Sequence, residues 1–189
     1  WLAEAAVDND TLEALCAHGL RFAVLAPRSL KSKRAAGVRT EEPIHPDDYT
    51  RPYRWRSRVA PVKYIDLFFY SPQLDEIMRA GGYSNPQALP EAARKLLPPS
   101  GKQARLLSYA SDGEDYGHHF KNAHLNLAAA LHAVETKGIA RVTNFGEFLG
   151  LCGEPEFEAE IVSPSSWSCT HGVSRWTDNC GCICNGMNK

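Results

Sequence analysis

The 189 residues carry 21 Lys and Arg against 22 Asp and Glu, a net charge of −1, with 43% hydrophobic and 10% aromatic residues. This is the composition of a globular chain, and it excludes extended disorder, collagen-like repeats and coiled coil. Balanced charge argues against a nucleic-acid partner, and no apolar run reaches the roughly 18 residues of a membrane span, so neither nucleic acid nor membrane is expected as a partner.

In chain order, Asp8-Asn9-Asp10-Thr11 precedes Leu12, Leu15 and Cys16 at helical spacing, with Gly19 beyond, and predicts a short helix over 11–18. Arg21 to Pro27 reads as a buried strand closed by proline. From Arg28 to Arg58, nine Lys or Arg stand against four Asp or Glu and Pro43, Pro46 and Pro52 interrupt the chain, so a solvated loop is expected. Tyr64–Tyr70 is the next strand, followed by a proline-rich helical region over 71–99. Arg105–Ala110 reads as a short apolar strand, Asn122–Thr136 as a helix stopped by Lys137-Gly138, and 139–143 as a strand. A short helix over 144–149 and an alternating strand over 157–162 complete the pattern.

Strands separated by helical segments predict an α/β fold with a parallel sheet, open or closed into a barrel, whose working residues sit at the C-terminal ends of strands. The chain opens on Trp1-Leu2-Ala3-Glu4 without initiator Met or signal peptide, and ends on a stretch with neither strand nor helix pattern. It therefore reads as a fragment of one catalytic domain over 1–189. The absence of a secretory signal favours reduced thiols and a cytoplasmic location for the six cysteines.

Two acids are candidates for chemistry. Glu4 and Asp112 each fall where a strand would end, and cleavage of a glycosidic bond needs one carboxylate to attack the anomeric carbon and one carboxylic acid to protonate the leaving oxygen. Taken singly, an acid at a strand end is more often a cap or ion-pair partner than a catalyst. The stretch from Asp112 to His119 packs three carboxylates, a tyrosine and two histidines into eight residues. Like-charge crowding of this kind is one way to raise the pKa of a general acid. The same stretch is open to a solvated loop, or to a metal site of Asp112, His118 and His119.

At these residues the chain resembles a known family. Trp1-Leu2-Ala3-Glu4 resembles the Trp-Leu-x-Glu motif that carries the nucleophile of glycoside hydrolase family 57, and Asp112-Gly113-Glu114 with Tyr116-Gly117-His118 resembles its Asp-x-Glu-x-aromatic-Gly-His motif. Ser166 to Gly172, with Arg175-Trp176 and Cys180-Gly181-Cys182, resembles a tail of one bacterial branch described as α-amylase or α-mannosidase-like. The resemblance implies the C-terminal part of an incomplete (β/α)7 barrel and a retaining enzyme of α-glucans. Glu4 would be nucleophile and Asp112 acid/base, roughly 5–5.5 Å apart. Glu114 and His118 would hold sugar hydroxyls or position Asp112, and Trp1 and Trp167 would stack on sugar rings. No cofactor is implied for catalysis. The family's early motifs would lie upstream of Trp1, so the fragment alone is expected to be inactive. Asp115 and His119 make the second motif more polar than in glucan-branching relatives.

The tail adds a second chemistry. Cys169-x-His171 followed by Cys180-x-Cys182-x-Cys184 offers soft ligands for a structural zinc through Cys169, His171, Cys180 and Cys182, although Cys-x-Cys is tighter than the usual knuckle spacing. Two other functions remain compatible with the residues. One is a metal-dependent carbohydrate deacetylase using Asp112, His118 and His119. The other is a non-catalytic carbohydrate-binding or zinc-stabilised module.

Overall fold

The structure is a computed structural model that describes residues 1–98, 103–178 and 180–182. It is a mixed α/β chain with one five-stranded sheet and six α-helices among the described residues. Two compact units form: the first comprises 1–45, 52–69 and 154–189, and the second 46–51 and 70–153. Pro99 and Cys184, which belong to the sequence patterns above, lie outside the described residues.

The first unit contains the sheet, with strands β1 (Phe22–Leu25), β2 (Leu30–Ala35), β3 (Tyr53–Arg56), β4 (Tyr64–Phe69) and β5 (Phe157–Ile161). Their spatial order is β1-β4-β3-β5-β2. β1 runs parallel to β4, with Phe22 opposite Asp66 and Leu25 opposite Phe69, and β3 is parallel to β5 at Arg54 and Glu158. β3 is antiparallel to β4, and β2 to β5. The all-parallel sheet expected from alternating elements is therefore corrected to a mixed one. Helix α1 (Asn9–Ala17) starts at Asp8, whose carboxylate accepts the Thr11 N–H at 2.7 Å, and buries Leu12 and Cys16. The sheet buries Leu25, Tyr53, Ile65, Leu67 and Phe69 almost completely, the apolar surface that dominates its stability.

The basic stretch from Arg28 to Arg58, expected as a solvated loop, supplies β2 and β3 instead. Its excess charge is neutralised by acids far along the chain. Arg34 Nη2 lies 3.0 Å and Arg56 Nε 2.6 Å from Glu158, and Lys31 lies 3.5 Å from Glu160. Within the stretch itself, Lys33 pairs with Glu42 at 3.7 Å. Cross-strand pairing of opposite charge stabilises a sheet face much as apolar pairs do. Deeper in the sheet, Arg54 and Asp66 face one another in register with Nε–Oδ1 at 3.1 Å, both buried, and the guanidinium also lies over the Tyr64 ring at 3.7 Å. Burial pushes the Asp66 carboxyl above its ordinary pKa against the opposing pull of Arg54.

The second unit contains helices α2 (Pro72–Arg79), α3 (Ala88–Leu96), α4 (Ala123–Thr136) and α5 (Phe145–Cys152). Ser71 caps α2 by accepting the Leu74 N–H, Pro72 sits at its first turn, and Asn144 caps α5 through Glu147 N–H. Leu74, Met78, Tyr83, Ala92 and Ala123 form the core, with Leu107, Tyr116 and Phe120 against it. The stretches 105–110 and 139–143, expected as strands, are irregular. Leu106 N–H donates to Thr50 O and Ser71 N–H to Ser108 O, but no ladder follows. Their apolar residues pack on helices: Leu106, Leu107 and Val142 line a cavity of about 380 Å³ with Leu74, Leu131 and Phe145. Helix α6 (Ser174–Thr177) belongs to the first unit.

Candidate active site and adjoining cysteine cluster

Glu4 lies in a 3-10 turn over Ala3–Ala5 and adopts φ 58°, ψ 18°, with Ala5 at φ 46°. Two successive non-glycine residues in the left-handed region are uncommon, and such strain persists only where surrounding contacts impose it. The contacts come from the far end of the chain. Val7 and Ser165 exchange both backbone hydrogen bonds at 2.9 Å, and Trp167 N–H donates to Glu4 O at 3.0 Å. Beneath this pairing, Ser165 Oγ donates to Ser29 Oγ at 2.8 Å, and the fully buried Ser166 donates to Gly172 O at 2.8 Å.

The same return brings three donors to the Glu4 side chain. Ser168 Oγ and Trp167 Nε1, the latter at 2.9 Å, donate to Oε2, and Arg175 Nη1 lies 3.7 Å from that oxygen. Ser168 does most to hold the carboxyl below its ordinary pKa, with Trp167 and Arg175 adding to it against a partial burial that works the other way. Trp1 meets Trp167 edge-on at 5.2 Å, and the exposed Trp176 lies beside Arg175, whose guanidinium is 5.2 Å from its ring centroid. The half-exposed Glu4 carboxylate is thus bonded to one indole, that of Trp167, whose ring Trp1 meets edge-on.

Asp112, Glu114 and His118 lie in the second unit, around a 3-10 turn over Gly113–Tyr116. Asp112 is exposed, precedes the turn and makes no side-chain capping bond. The neighbouring acids have different partners: Glu114 lies 3.4 Å from His119 Nε2, while Asp115 accepts the Tyr83 hydroxyl at 2.8 Å. Tyr83 also bonds the Tyr109 hydroxyl and stacks on Phe120 at 4.5 Å. Burial first, then these bonds, push the Tyr83 phenol far above its ordinary pKa. His118 is exposed, its ring 4.9 Å edge-on from that of His119. Among the described residues, Asp112, His118 and His119 do not form a metal-capable cluster.

The cluster that does form is Cys169, His171, Cys180 and Cys182, whose donor atoms all lie within 4.8 Å of one another. Cys169 is almost fully buried, and no disulfide joins it to its neighbours. Burial would raise its thiol pKa. The backbone N–H of His171, the Cys182 and Cys180 thiols and the backbone N–H of Arg175 outweigh that and bring it down to about 7.

Of the residues singled out in the sequence, Trp1, Glu4 and Trp167 are brought together, and so are the four cysteine and histidine ligands. Ser168 and Arg175 were not selected from sequence as Glu4 partners, and Asp115 was not seen as the acid anchored by Tyr83. The only signal for the first two was their place in the tract from Ser166 to Trp176.

The fold has a relative among solved structures. The chain is similar to the 4-α-glucanotransferase from Thermococcus litoralis, with a TM-score of 0.67 at 15% identity over 88% of this chain and 24% of that chain. It thus spans about a quarter of that enzyme's length, and at this identity the likeness shows the fold alone. No protein-family model matches the sequence, and no curated protein matches it. Among the described residues, no helix is long and apolar enough to cross a membrane.

Proposed function

We propose that this chain is part of the catalytic barrel of a retaining enzyme acting on α-glucans, of the glycoside hydrolase family 57 type, with Glu4 as nucleophile and Asp112 as acid/base. The observation that carries the reading is the Glu4 site. A nucleophilic carboxylate must stay ionised and be aimed, and three donors at one oxygen with a constrained backbone do both. Oε2 receives the Ser168 and Trp167 bonds, which leaves Oε1 as the attacking atom.

In this reading Glu4 Oε1 attacks the anomeric carbon while Asp112 gives its proton to the departing glycosidic oxygen. A glycosyl ester on Glu4 results. Asp112, now a carboxylate, takes a proton from water or from the hydroxyl of an acceptor sugar, which displaces Glu4 with net retention. Trp1, Trp167 and Trp176 offer ring faces to the sugar, and Glu114 and His118 its hydrogen-bonding partners near Asp112. The 4-α-glucanotransferase fold agrees with an α-glucan substrate.

The test is performed on the whole polypeptide that carries these residues, with maltooligosaccharides and glycogen. Glu4→Gln and Asp112→Asn are each expected to lower conversion by at least about 10³-fold. Azide should rescue Asp112→Asn as an α-azide of retained configuration, formed from the β-linked glycosyl ester, and Glu4→Gln as a β-azide of inverted configuration formed by direct displacement. Conversion that survives both substitutions disproves the assignment. The 189-residue chain alone is expected to be inactive.

A further inference from the structure

We propose that Cys169, His171, Cys180 and Cys182 bind one zinc ion in a closed tetrahedral site, and that this ion holds in place the loop supplying every side-chain partner of Glu4. Three of the donor–donor distances match the edges of a tetrahedron about one ion, and all of them lie within 4.8 Å. With Zn–S of about 2.3 Å and Zn–N of about 2.0–2.1 Å, its edges measure about 3.8 Å between sulfurs and about 3.6 Å between sulfur and nitrogen. Cys169 Sγ lies 3.7 Å from Cys180 Sγ and 3.6 Å from Cys182 Sγ, and His171 Nδ1 lies 3.3 Å from Cys182 Sγ. A disulfide would need about 2.05 Å.

The local chain serves the same end. Gly181 at φ 71° turns the backbone between Cys180 and Cys182, which lets a tight Cys-x-Cys present both thiols to one point. Three sulfurs and an imidazole select zinc over harder cations, and four protein ligands leave no open position for a substrate. The ion is therefore structural.

Its position relative to Glu4 gives it a second consequence. Trp167 and Ser168 directly precede the ligand Cys169, and Arg175 lies between His171 and Cys180. Binding ties 180–182 to 169–171 and closes the loop that bears Arg175. The metal site stands without the proposed reaction; its value for catalysis rests on the reading of Glu4 as nucleophile.

The experiment uses the whole polypeptide that carries these residues, reduced, loaded with Zn²⁺ and desalted. One zinc per chain is expected by elemental analysis, and Co²⁺ in its place should give the visible spectrum of a tetrahedral thiolate site. Cys180→Ser with Cys182→Ser should lose the metal, and Cys152→Ser should keep it. Should the double variant fail to fold, alkylation of wild type decides, because zinc must protect Cys169, Cys180 and Cys182 together. Removal of zinc by a chelator should shift the tryptophan emission, and Trp167→Phe should abolish most of that shift. Reduced wild type that retains no zinc, or a double variant that retains it fully, overturns the site. Zinc loss without change at Trp167 overturns its hold on the Glu4 loop. Glu4→Gln must still bind zinc, so failure of the metal site and failure of the glucan reading are separable.

Discussion

The two units treat their proposed working carboxylates in opposite ways. In the sheet-bearing unit, Glu4 is gripped by residues more than 160 positions away, with Trp167, Ser168 and Arg175 on one oxygen and its backbone forced to φ 58°. In the helical unit, Asp112 precedes a short turn, exposed and without a capping bond, and the firmly held acid is its neighbour Asp115 on Tyr83. A nucleophile benefits from fixed charge and fixed aim, whereas an acid/base must take up and release a proton in one cycle. In the proposed reading, the difference matches the two roles: long-range contacts would hold the residue proposed to attack, and a local turn the residue proposed to cycle.

That comparison is broken most severely by removing the ion pair inside the sheet. Asp66→Ala leaves Arg54 buried with its in-register partner gone, and the loss expected is about 3–5 kcal/mol in urea unfolding. A loss below about 1 kcal/mol would mean that Glu154, 3.5 Å from Arg54 and itself exposed, suffices as counter-charge. The next largest effect is expected at Gly172, where φ is +72° and an added Cβ would stand 2.7 Å from Pro164 O. Gly172→Ala should cost on the order of 2 kcal/mol by thermal unfolding, with Trp167 emission changed in the folded protein. An unaltered melting temperature would show that the loop can open to admit a methyl group.

The sequence foretold elements where the period of apolar residues decides the structure, as in α1, β1, β4, α4 and β5. It misread β2 and β3 because their basic residues look solvated until Glu158 and Glu160, over a hundred positions later, are seen to pair with them. The reverse error befell 105–110 and 139–143, where an apolar run serves equally to line a cavity between helices as to form a strand. At the site, Glu4, Trp1 and Trp167 were legible through a family resemblance and the cysteine cluster through spacing. Ser168 and Arg175 were not, because what identifies them is the pairing of 4–7 with 165–167, a contact no local pattern encodes.

A smaller effect sharpens the contrast from the helical side. Tyr83→Phe removes the hydroxyl that joins Tyr109 and Asp115 but keeps the ring stacked on Phe120. The expected loss is about 1–2 kcal/mol, because both partners keep some access to water. If Asp115 anchors the turn that carries Asp112, the same variant should reduce conversion of glucan by the whole polypeptide less than Asp112→Asn does. Equal reductions would make Asp115 and Tyr83 part of the acid/base machinery.

The smallest expected effect is the most specific to Glu4. Its folded pKa lies below its unfolded value, so its contribution to stability is present in full above the ordinary glutamate range and is lost as pH falls through the folded value. Carboxyl-carbon NMR should therefore show Glu4 titrating at lower pH than exposed glutamates of the same chain. Ser168→Ala should move its midpoint upward more than Trp167→Phe, since the serine bond is the largest of the causes that lower it. The opposite order would shift the role of chief donor to the indole and make the edge-on contact of Trp1 with Trp167 part of the electrostatics of the site. An ordinary midpoint in wild type would remove the preformed charge on which the contrast between Glu4 and Asp112 rests, and with it the physical reason to assign attack to the one and proton transfer to the other.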